Sequence, residues 1–269
     1  MEQLREALHR HLAPRRHTAL LVAIVALFMV RPSIGDNAVA SAAFSSILLL
    51  LLVFALYAIQ VDELVGERET LLAQRRRRSM IGWALAVPAI VGRLGLIFVP
   101  SPALYLAATT LWLLLFAFIT WHLLRGVLRQ KEITSETISM SISVYLLLGF
   151  TWGLFYIVLH HVQPLALSFG SAPTPISDEQ QAFPILIYFS LTTLSTIGFG
   201  DITPVSLQAR YAAVAEGIMG QFYLAILVAR LVGMQMSQAA SRAGEPHTPD
   251  SDTTKSARGL TISEIYSAS

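Results

Sequence analysis

Six long apolar segments dominate the sequence, and each is close to the length that a membrane-spanning helix requires. A helix that crosses the hydrocarbon core of a bilayer needs about 20 mostly apolar residues. The predicted spans are residues 18–34, 38–61, 80–99, 102–124, 138–161 and 208–234. A seventh apolar stretch, residues 183–195, is too short to cross and is typical of a buried or re-entrant helix. These segments predict an all-α membrane protein with six transmembrane helices.

The composition agrees with a chain that lies in lipid. Of 269 residues, 54% are hydrophobic and 13% are charged, whereas a soluble domain has roughly 25% charged residues. Because so few polar side chains could not cover a soluble globule, a soluble enzyme and a nucleic-acid-binding protein are both disfavoured. The absence of cysteine excludes disulfides and thiolate metal sites.

Basic residues indicate the orientation, because loops rich in Lys and Arg remain in the cytoplasm. They are concentrated before the first span, after the second and after the fourth, at Arg5, Arg10, Arg15, Arg16, Arg68, Arg75, Arg76, Arg77, Arg78, Arg125, Arg129 and Lys131. The intervening loops contain almost none. We therefore expect a multi-pass protein whose amino and carboxyl termini are both cytoplasmic.

The start of the chain also has the outline of a cleaved signal peptide, with basic residues followed by an apolar core. Arg31 and Asp36, however, lie where a cleavage region is normally uncharged. We expect the first span to be retained.

The most informative stretch is residues 188–204, with the sequence YFSLTTLSTIGFGDITP. A short helix is predicted over residues 183–195, with Pro184 in its first turn. Gly198 and Gly200 provide positive φ at alternate positions, so an extended strand there could present successive carbonyls in the same direction. Non-helical backbone at membrane depth is tolerated only where it lines water or is buried in protein. Four copies around an axis would form rings of oxygens that replace the hydration shell of an ion.

Two further features would favour a cation at this place. The carboxyl end of the short helix carries about half a negative charge, and it would point inward from the outer side. Asp201 follows the strand directly and would add negative charge at the outer mouth.

These residues resemble the pore region of potassium channels, whose filters read T-x-G-[Y/F]-G-D within a re-entrant loop between two spans. Six spans with the loop between the last two are similar to the bacterial six-transmembrane potassium channels. The likeness to the pore module covers residues 138–234, and the first four spans match in number alone.

The resemblance implies a homotetramer in the bacterial inner membrane that conducts potassium passively, surrounded by lipid, with no enzymatic site, no nucleic-acid partner and no cofactor besides the permeating K⁺. It implies a selectivity filter that binds K⁺ at Thr196, Ile197, Gly198 and Phe199 and ends with Gly200. Support from the pore helix would come from Tyr188, Phe189, Thr192 and Thr193.

Four positions depart from the pattern. Many members have tyrosine at the position of Phe199 and tryptophan at the positions of Tyr188 and Phe189. Phe199 cannot form the phenol–indole bond that would brace the filter, so filter stiffness is altered. Thr192 stands where some relatives have a buried glutamate.

Four residues inside the spans are candidates for gating or structure. Gly217 or Gly220 is expected to be a hinge, with close helix packing as the alternative. Glu216 is a deep charge that must be protonated, hydrogen-bonded to a neighbouring helix or wetted by a cavity. Arg93 either extends to the outer headgroups or marks a polar pocket.

Voltage sensing is not expected, because the fourth span contains no Lys or Arg before Arg125. The predicted division is a cytoplasmic start (1–17), a four-helix domain (18–124), a linker that acts as a lever or passively (125–137), a pore domain (138–236) and a disordered cytoplasmic tail (237–269).

Three other functions remain as alternatives. A weakly selective cation channel would follow from the altered bracing residues. A potassium transporter subunit is less favoured, because related transporters carry four such loops in one chain. A membrane enzyme is least favoured, because no metal cluster or nucleophile–base pair is visible in the sequence.

Overall fold

A computed structural model describes residues 16–30, 72–99, 101–130, 134–170 and 179–243. The predicted second span and most of the predicted tail lie outside these residues. The described elements are almost entirely helical. We number them α1 (Arg16–Val30), α2 (Leu72–Phe98), α3 (Pro102–Arg129), α4 (Ser135–Val162), β1 (Leu167–Ser168), α5 (Glu179–Leu194), β2 (Thr203–Pro204) and α6 (Leu207–Ala243).

Three of the described helices are long and apolar enough to cross a membrane. They are α3, α4 and the Leu207–Ser237 part of α6. The apolar parts of α1 and α2 are shorter, at His17–Ala26 and Met80–Leu96. The protein is therefore a mostly helical membrane protein, as the sequence predicts.

Helices α2, α3 and α4 pack side by side, each antiparallel to the next. The indole N–H of Trp112 in α3 donates to the carbonyl of Ala89 in α2 (3.1 Å). On the other side of α3, the rings of Phe116 and Phe150 lie 6.1 Å apart. These buried aromatic contacts form the centre of the core.

Helix α1 lies against α4 and runs parallel to it. The carboxylate of Glu136, in the first turn of α4, accepts the backbone N–H of His17 (2.9 Å) and the hydroxyl of Thr18 (2.6 Å). An acidic side chain is favourable at this position, because free N–H groups and the positive end of the dipole are at a helix amino terminus. The amino ends of α1 and α4 therefore lie at the same end of the molecule.

The segment that contains α5 and the loop after it begins and ends at the other end of the molecule, beside the carboxyl end of α4. α5 runs back along α4, and the chain then returns from Leu194 to β2. Strand β2 pairs antiparallel with β1, with Leu167 opposite Pro204 and Ser168 opposite Thr203. β1 follows α4 closely and β2 precedes α6, so this pairing brings together the two ends of the segment that contains α5 and the loop after it. We call this segment the α5 excursion.

Helix α6 then runs the length of the molecule. Near its carboxyl end, the Arg230 guanidinium donates to the carbonyls of Val127 (2.7 Å) and Gln130 (2.5 Å). These carbonyls are at the carboxyl end of α3, where a cation is favoured by the helix dipole. The carboxyl-terminal part of α6 is thus held beside the end of α3.

Several predicted boundaries are wrong. α5 begins at Glu179 instead of residue 183, so Pro184 lies inside the helix and not in its first turn. The missing N–H of Pro184 removes one bond near the amino end, which a short helix tolerates because its other turns pack against α4. The arginine run at 75–78 was expected in a loop but lies within α2.

The predicted linker over 125–137 is also shorter than expected. α3 continues to Arg129, and α4 begins at Ser135 with Thr134 as its N-cap, whose hydroxyl accepts the N–H of Thr137 (3.2 Å). Both helices therefore extend into the basic segment, and whether it acts as a lever or passively stays a prediction. At the other end, α6 continues to Ala243, six residues beyond the predicted start of the tail.

Candidate functional site

Two glycines on α4 allow α5 to pack closely against it. A side chain at Gly153 would overlap Ile187, and one at Gly149 would overlap Leu191. Their G-x-x-x-G spacing is typical of close helix contacts in membranes. The motif is visible in the sequence, but it was not among the predicted site features. It places α5 at a defined depth along α4.

The carboxyl end of α5 lies near the middle of the molecule. The Tyr145 hydroxyl of α4 donates to the Leu194 carbonyl (3.3 Å), and a side chain at Gly220 of α6 would overlap the same carbonyl. Gly220 is about 20 Å along α6 from Leu207 and about 15 Å from Arg230, at 1.5 Å per residue. The negative end of the α5 dipole is therefore directed into the interior, about midway between the two ends of the helices.

The segment that follows α5 has an alternating backbone. Thr196, Gly198 and Gly200 have φ values of 60°, 50° and 81°. Ile197 and Phe199 do not have positive φ, since Thr196 is the one non-glycine residue with positive φ in the described part of the chain. Positive φ at the two glycines agrees with the sequence analysis, whereas positive φ at Thr196 was not predicted. A β-branched residue in this region is strained, and such strain is concentrated at functional sites.

Hydrogen bonds attach this segment to the end of α5. The N–H of Thr196 donates to the Thr193 carbonyl (3.0 Å), and the N–H of Gly198 donates to the Thr192 carbonyl (3.1 Å). The Thr196 hydroxyl donates to the Ser195 carbonyl (2.7 Å). The segment is thus anchored on its α5 side, while the side chains of Ile197 and Phe199 are 58% and 68% exposed.

One aromatic residue of α5 contacts the segment that follows the helix. The rings of Tyr188 and Phe199 are stacked, 6.3 Å apart and 2° from parallel. The Tyr188 hydroxyl also interacts electrostatically with the Asp201 carboxylate. Phe189 points elsewhere, since it is buried edge-on against Tyr156 at 4.9 Å. Tyr188 alone therefore provides both a stacking surface and a polar contact to the outer part of the segment.

The threonines of α5 are occupied within their own helix. The hydroxyls of Thr192 and Thr193 both donate to the Phe189 carbonyl, at 2.9 and 2.8 Å. Their contribution to the site is made through their carbonyls, which hold Gly198 and Thr196.

Glu216 lies at the junction of α4, α5 and α6 and is fully buried. One carboxyl oxygen is 2.8 Å from the Tyr156 hydroxyl, and the other is 2.5 Å from the Ser190 hydroxyl. Of the alternatives left open by the sequence, the structure therefore shows hydrogen bonding to neighbouring helices. Neither Tyr156 nor Ser190 was singled out beforehand.

The remaining candidates have different surroundings. Helix α6 is continuous through both glycines, with Gly220 packed on α5 and a side chain at Gly217 only 3.7 Å from the Thr193 carbonyl. Gln221 follows Gly220, and its amide nitrogen is 3.5 Å from the Thr196 hydroxyl. Arg93 is half-buried in α2, next to a glycine that packs on Ala108 of α3. Among the described residues, no group of three His, Cys, Asp or Glu could hold a metal ion.

Comparison with known proteins shows what part of this chain is similar to. Residues 140–236 match the family described as "Ion channel". The predicted resemblance to ion channels with a pore loop is therefore confirmed over this part of the chain. The matched segment contains nearly all of α4, the whole of α5, the loop after it and most of α6.

Two curated relatives are similar over part of their length, and both are named "Protein LctB". The protein from Geobacillus stearothermophilus is 34% identical over 94 residues, and that from Bacillus caldotenax is 35% identical over 63 residues. The matches cover 32% and 22% of this chain, which spans only 62% and 46% of the lengths of these relatives. No solved structure gives a significant match.

Proposed function

We propose that the chain is a potassium-selective channel that conducts K⁺ passively through a pore shared by four copies. The observation that carries this proposal is the alternating backbone of residues 196–200 at the end of a helix that stops in the interior. It supports the filter assignment of Thr196, Ile197, Gly198, Phe199 and Gly200.

The alternation has a direct chemical consequence. Successive residues of opposite φ turn adjacent peptide planes so that their carbonyls face one side. In a tetramer, each level of the segment would contribute four oxygens, which replace the water around a monovalent cation. The ring oxygens bind the ions strongly enough to replace their water. Repulsion between adjacent bound ions offsets this binding, so the ions still leave rapidly.

The α5 helix would provide the field that favours a cation below the filter. Its carboxyl end is directed inward, and each such end carries about half a negative charge. The excursion of α5 and the following loop, which begins and ends at β1 and β2, is the geometry that a re-entrant pore loop requires.

The exposed apolar surface of α6 in a single chain supports self-association. In the apolar part of α6 only 22% of residues are buried, against 56% in α4. Its exposed residues include Val214, Ile218 and Phe222, at 60%, 51% and 63%. We propose that neighbouring copies cover this surface together with the exposed filter segment, and that lipid covers the outer surface.

The orientation in the membrane is proposed from the same geometry. The carboxyl ends of α3 and α6 are held together by Arg230, and Arg129 lies at the same end. Basic residues favour the cytoplasmic side, so we place this end in the cytoplasm of a bacterial cell. Voltage gating is not part of the proposal, because α3 has no Lys or Arg before Arg125.

A weakly selective cation channel is the second candidate, and one contact favours it. Phe199 is held by stacking on Tyr188 and has no hydroxyl with which to bond behind the filter. A filter that is braced by one stacked ring is freer to adjust to a smaller ion than one that is held by hydrogen bonds.

The test is the reversal potential of purified protein in a planar bilayer with K⁺ on one side and Na⁺ on the other. A large shift towards the K⁺ equilibrium potential is expected, and no shift would favour the second candidate. Gly198→Ala should abolish the current, because an L-residue is strained at φ 50°. Gly233→Ala is the matched control, since a side chain there meets open space within a helix. Unchanged current in Gly198→Ala would refute the filter assignment.

A further inference from the structure

Four polar groups at the junction of α4, α5 and α6 form a chain that the conduction pathway itself does not need. We call it the Glu216 cluster: the Tyr156 hydroxyl, the Glu216 carboxyl, the Ser190 hydroxyl and the Gly149 carbonyl. Successive contacts in this order measure 2.8, 2.5 and 2.7 Å. All three are hydrogen-bond distances. The side chains of Tyr156, Ser190 and Glu216 are fully buried.

The number of hydroxyl hydrogens in the cluster determines the protonation state of Glu216. The Gly149 carbonyl can only accept, and Ser190 has one hydroxyl hydrogen. If that hydrogen is donated to Gly149, then Ser190 Oγ can only accept at its 2.5 Å contact with Glu216 Oε1. The donor in that contact must then be the carboxyl group itself. If Glu216 were ionised, one of the two short contacts of Ser190 would bring two acceptors together without a proton.

Among the residues that the structure describes, no cationic group is shown beside the Glu216 carboxyl. The titratable groups that face Glu216 are Tyr156 and Tyr145 of α4, and α5 contributes the Ser190 hydroxyl. None of these groups is basic, and a buried carboxylate without a cationic partner is strongly disfavoured.

We infer that Glu216 is a neutral carboxylic acid that donates its proton to Ser190, and that this bond is the positioning contact between α6 and the pore helix. The Tyr156 hydroxyl donates to the other carboxyl oxygen, so the acid is held from α4 and in turn holds α5. Loss of the proton leaves Ser190 with two acceptors and one hydrogen, and the bond to Gly149 or to Glu216 is then broken.

The position of Ser190 makes this bond relevant to conduction. It lies six residues before Thr196, and the carbonyls of the intervening Thr192 and Thr193 anchor the filter segment. A change in the position of α5 relative to α4 therefore moves those carbonyls. Resting on the proposed function, the inference predicts that alkaline pH reduces current by deprotonating Glu216.

Infrared difference spectroscopy of the purified protein tests the proton directly and needs no channel activity. Wild type minus Glu216→Gln at neutral pH should contain the carbonyl stretch of a protonated carboxylic acid. Glu136→Gln is the control, because it removes a carboxyl group that lies outside the cluster. A carboxylate band instead of an acid band in the Glu216 difference spectrum would overturn the inference.

Current against pH tests the positioning role. Wild-type current should fall about tenfold or more as alkaline pH breaks a buried bond. Glu216→Gln should carry near wild-type current that does not depend on pH over this range, because its amide NH₂ donates to Ser190 at every pH. Glu136→Gln should retain the wild-type profile. If Glu216→Gln shows the same alkaline loss as wild type, the positioning role is refuted.

Absence of any wild-type current would refute the proposed function and leave the infrared result to decide the protonation of Glu216. The two failures are therefore distinguishable.

Discussion

Gly220 of α6 lies directly against the carbonyl of Leu194, the last residue of α5. This contact is possible because glycine has no side chain, and it places α6 against the carboxyl end of α5. The sequence is compatible with a hinge or with close packing at this position, and the structure shows close packing. Bending at Gly220 stays a prediction.

Gly220→Ala should destabilise the protein, because its Cβ would overlap the backbone of Leu194 and the backbone cannot rotate away. Overpacking of this kind costs about 1–3 kcal/mol. Thermal unfolding in detergent would measure the loss. Gly217→Ala should be much milder, since its Cβ would lie 3.7 Å from the nearest carbonyl. Equal effects of the two changes would contradict the packing explanation.

Tyr188→Phe should shorten the time for which the filter conducts. The change keeps the stack on Phe199 and removes the hydroxyl group that interacts with the Asp201 carboxylate. Single-channel recordings at constant voltage would show shorter bursts with unchanged conductance. Asp201→Asn should have the same effect, because a neutral amide is a weaker acceptor than a carboxylate. Bursts of wild-type length in both variants would show that the hydroxyl group does not brace the filter.

Gln221→Glu should introduce block by cytoplasmic Mg²⁺. The amide of Gln221 lies 3.5 Å from the Thr196 hydroxyl, so the proposed tetramer would place four new carboxylates directly below the filter. Negative charge in a narrow, low-dielectric cavity concentrates cations. The measurement is outward current with and without Mg²⁺ on the cytoplasmic side, with Gln221→Asn as the neutral control. Equal sensitivity of the two variants would place residue 221 away from the pathway.

Arg230→Gln should loosen the cytoplasmic end of α6 from α3. The guanidinium supplies two charge-assisted bonds to the last carbonyls of α3, and hydrogen bonds to charged groups contribute about 1.5–3 kcal/mol each where they are buried. Because this site is partly exposed, we expect a loss of about 1 kcal/mol. Faster proteolysis after α6 and a lower thermal midpoint would show it. Arg230→Lys should recover part of the loss, because lysine keeps the charge without the two-pronged geometry.

Much of the pore domain was predictable because its signals are local. Residues 196–201 carry glycines at alternate positions, and the apolar segments around them have lengths that match a full and a partial crossing. The family match over 140–236 agrees with that interpretation. Helix ends were predicted less well, since α5 begins at Glu179 and α3 continues to Arg129, and a hydropathy pattern does not mark where a helix begins or ends.

The sequence by itself determined that the chain lies in lipid and that one short segment has the backbone freedom to face an ion with its carbonyls. Those properties depend on side-chain hydrophobicity and on the missing Cβ of glycine, which are properties of single residues. Only the tertiary structure decided that Glu216 meets Ser190 and Tyr156, that Arg230 caps α3, and that Thr196 itself adopts positive φ. Each of these involves atoms that are far apart in the chain or a conformation imposed against local preference, so packing of the helices had to bring them about.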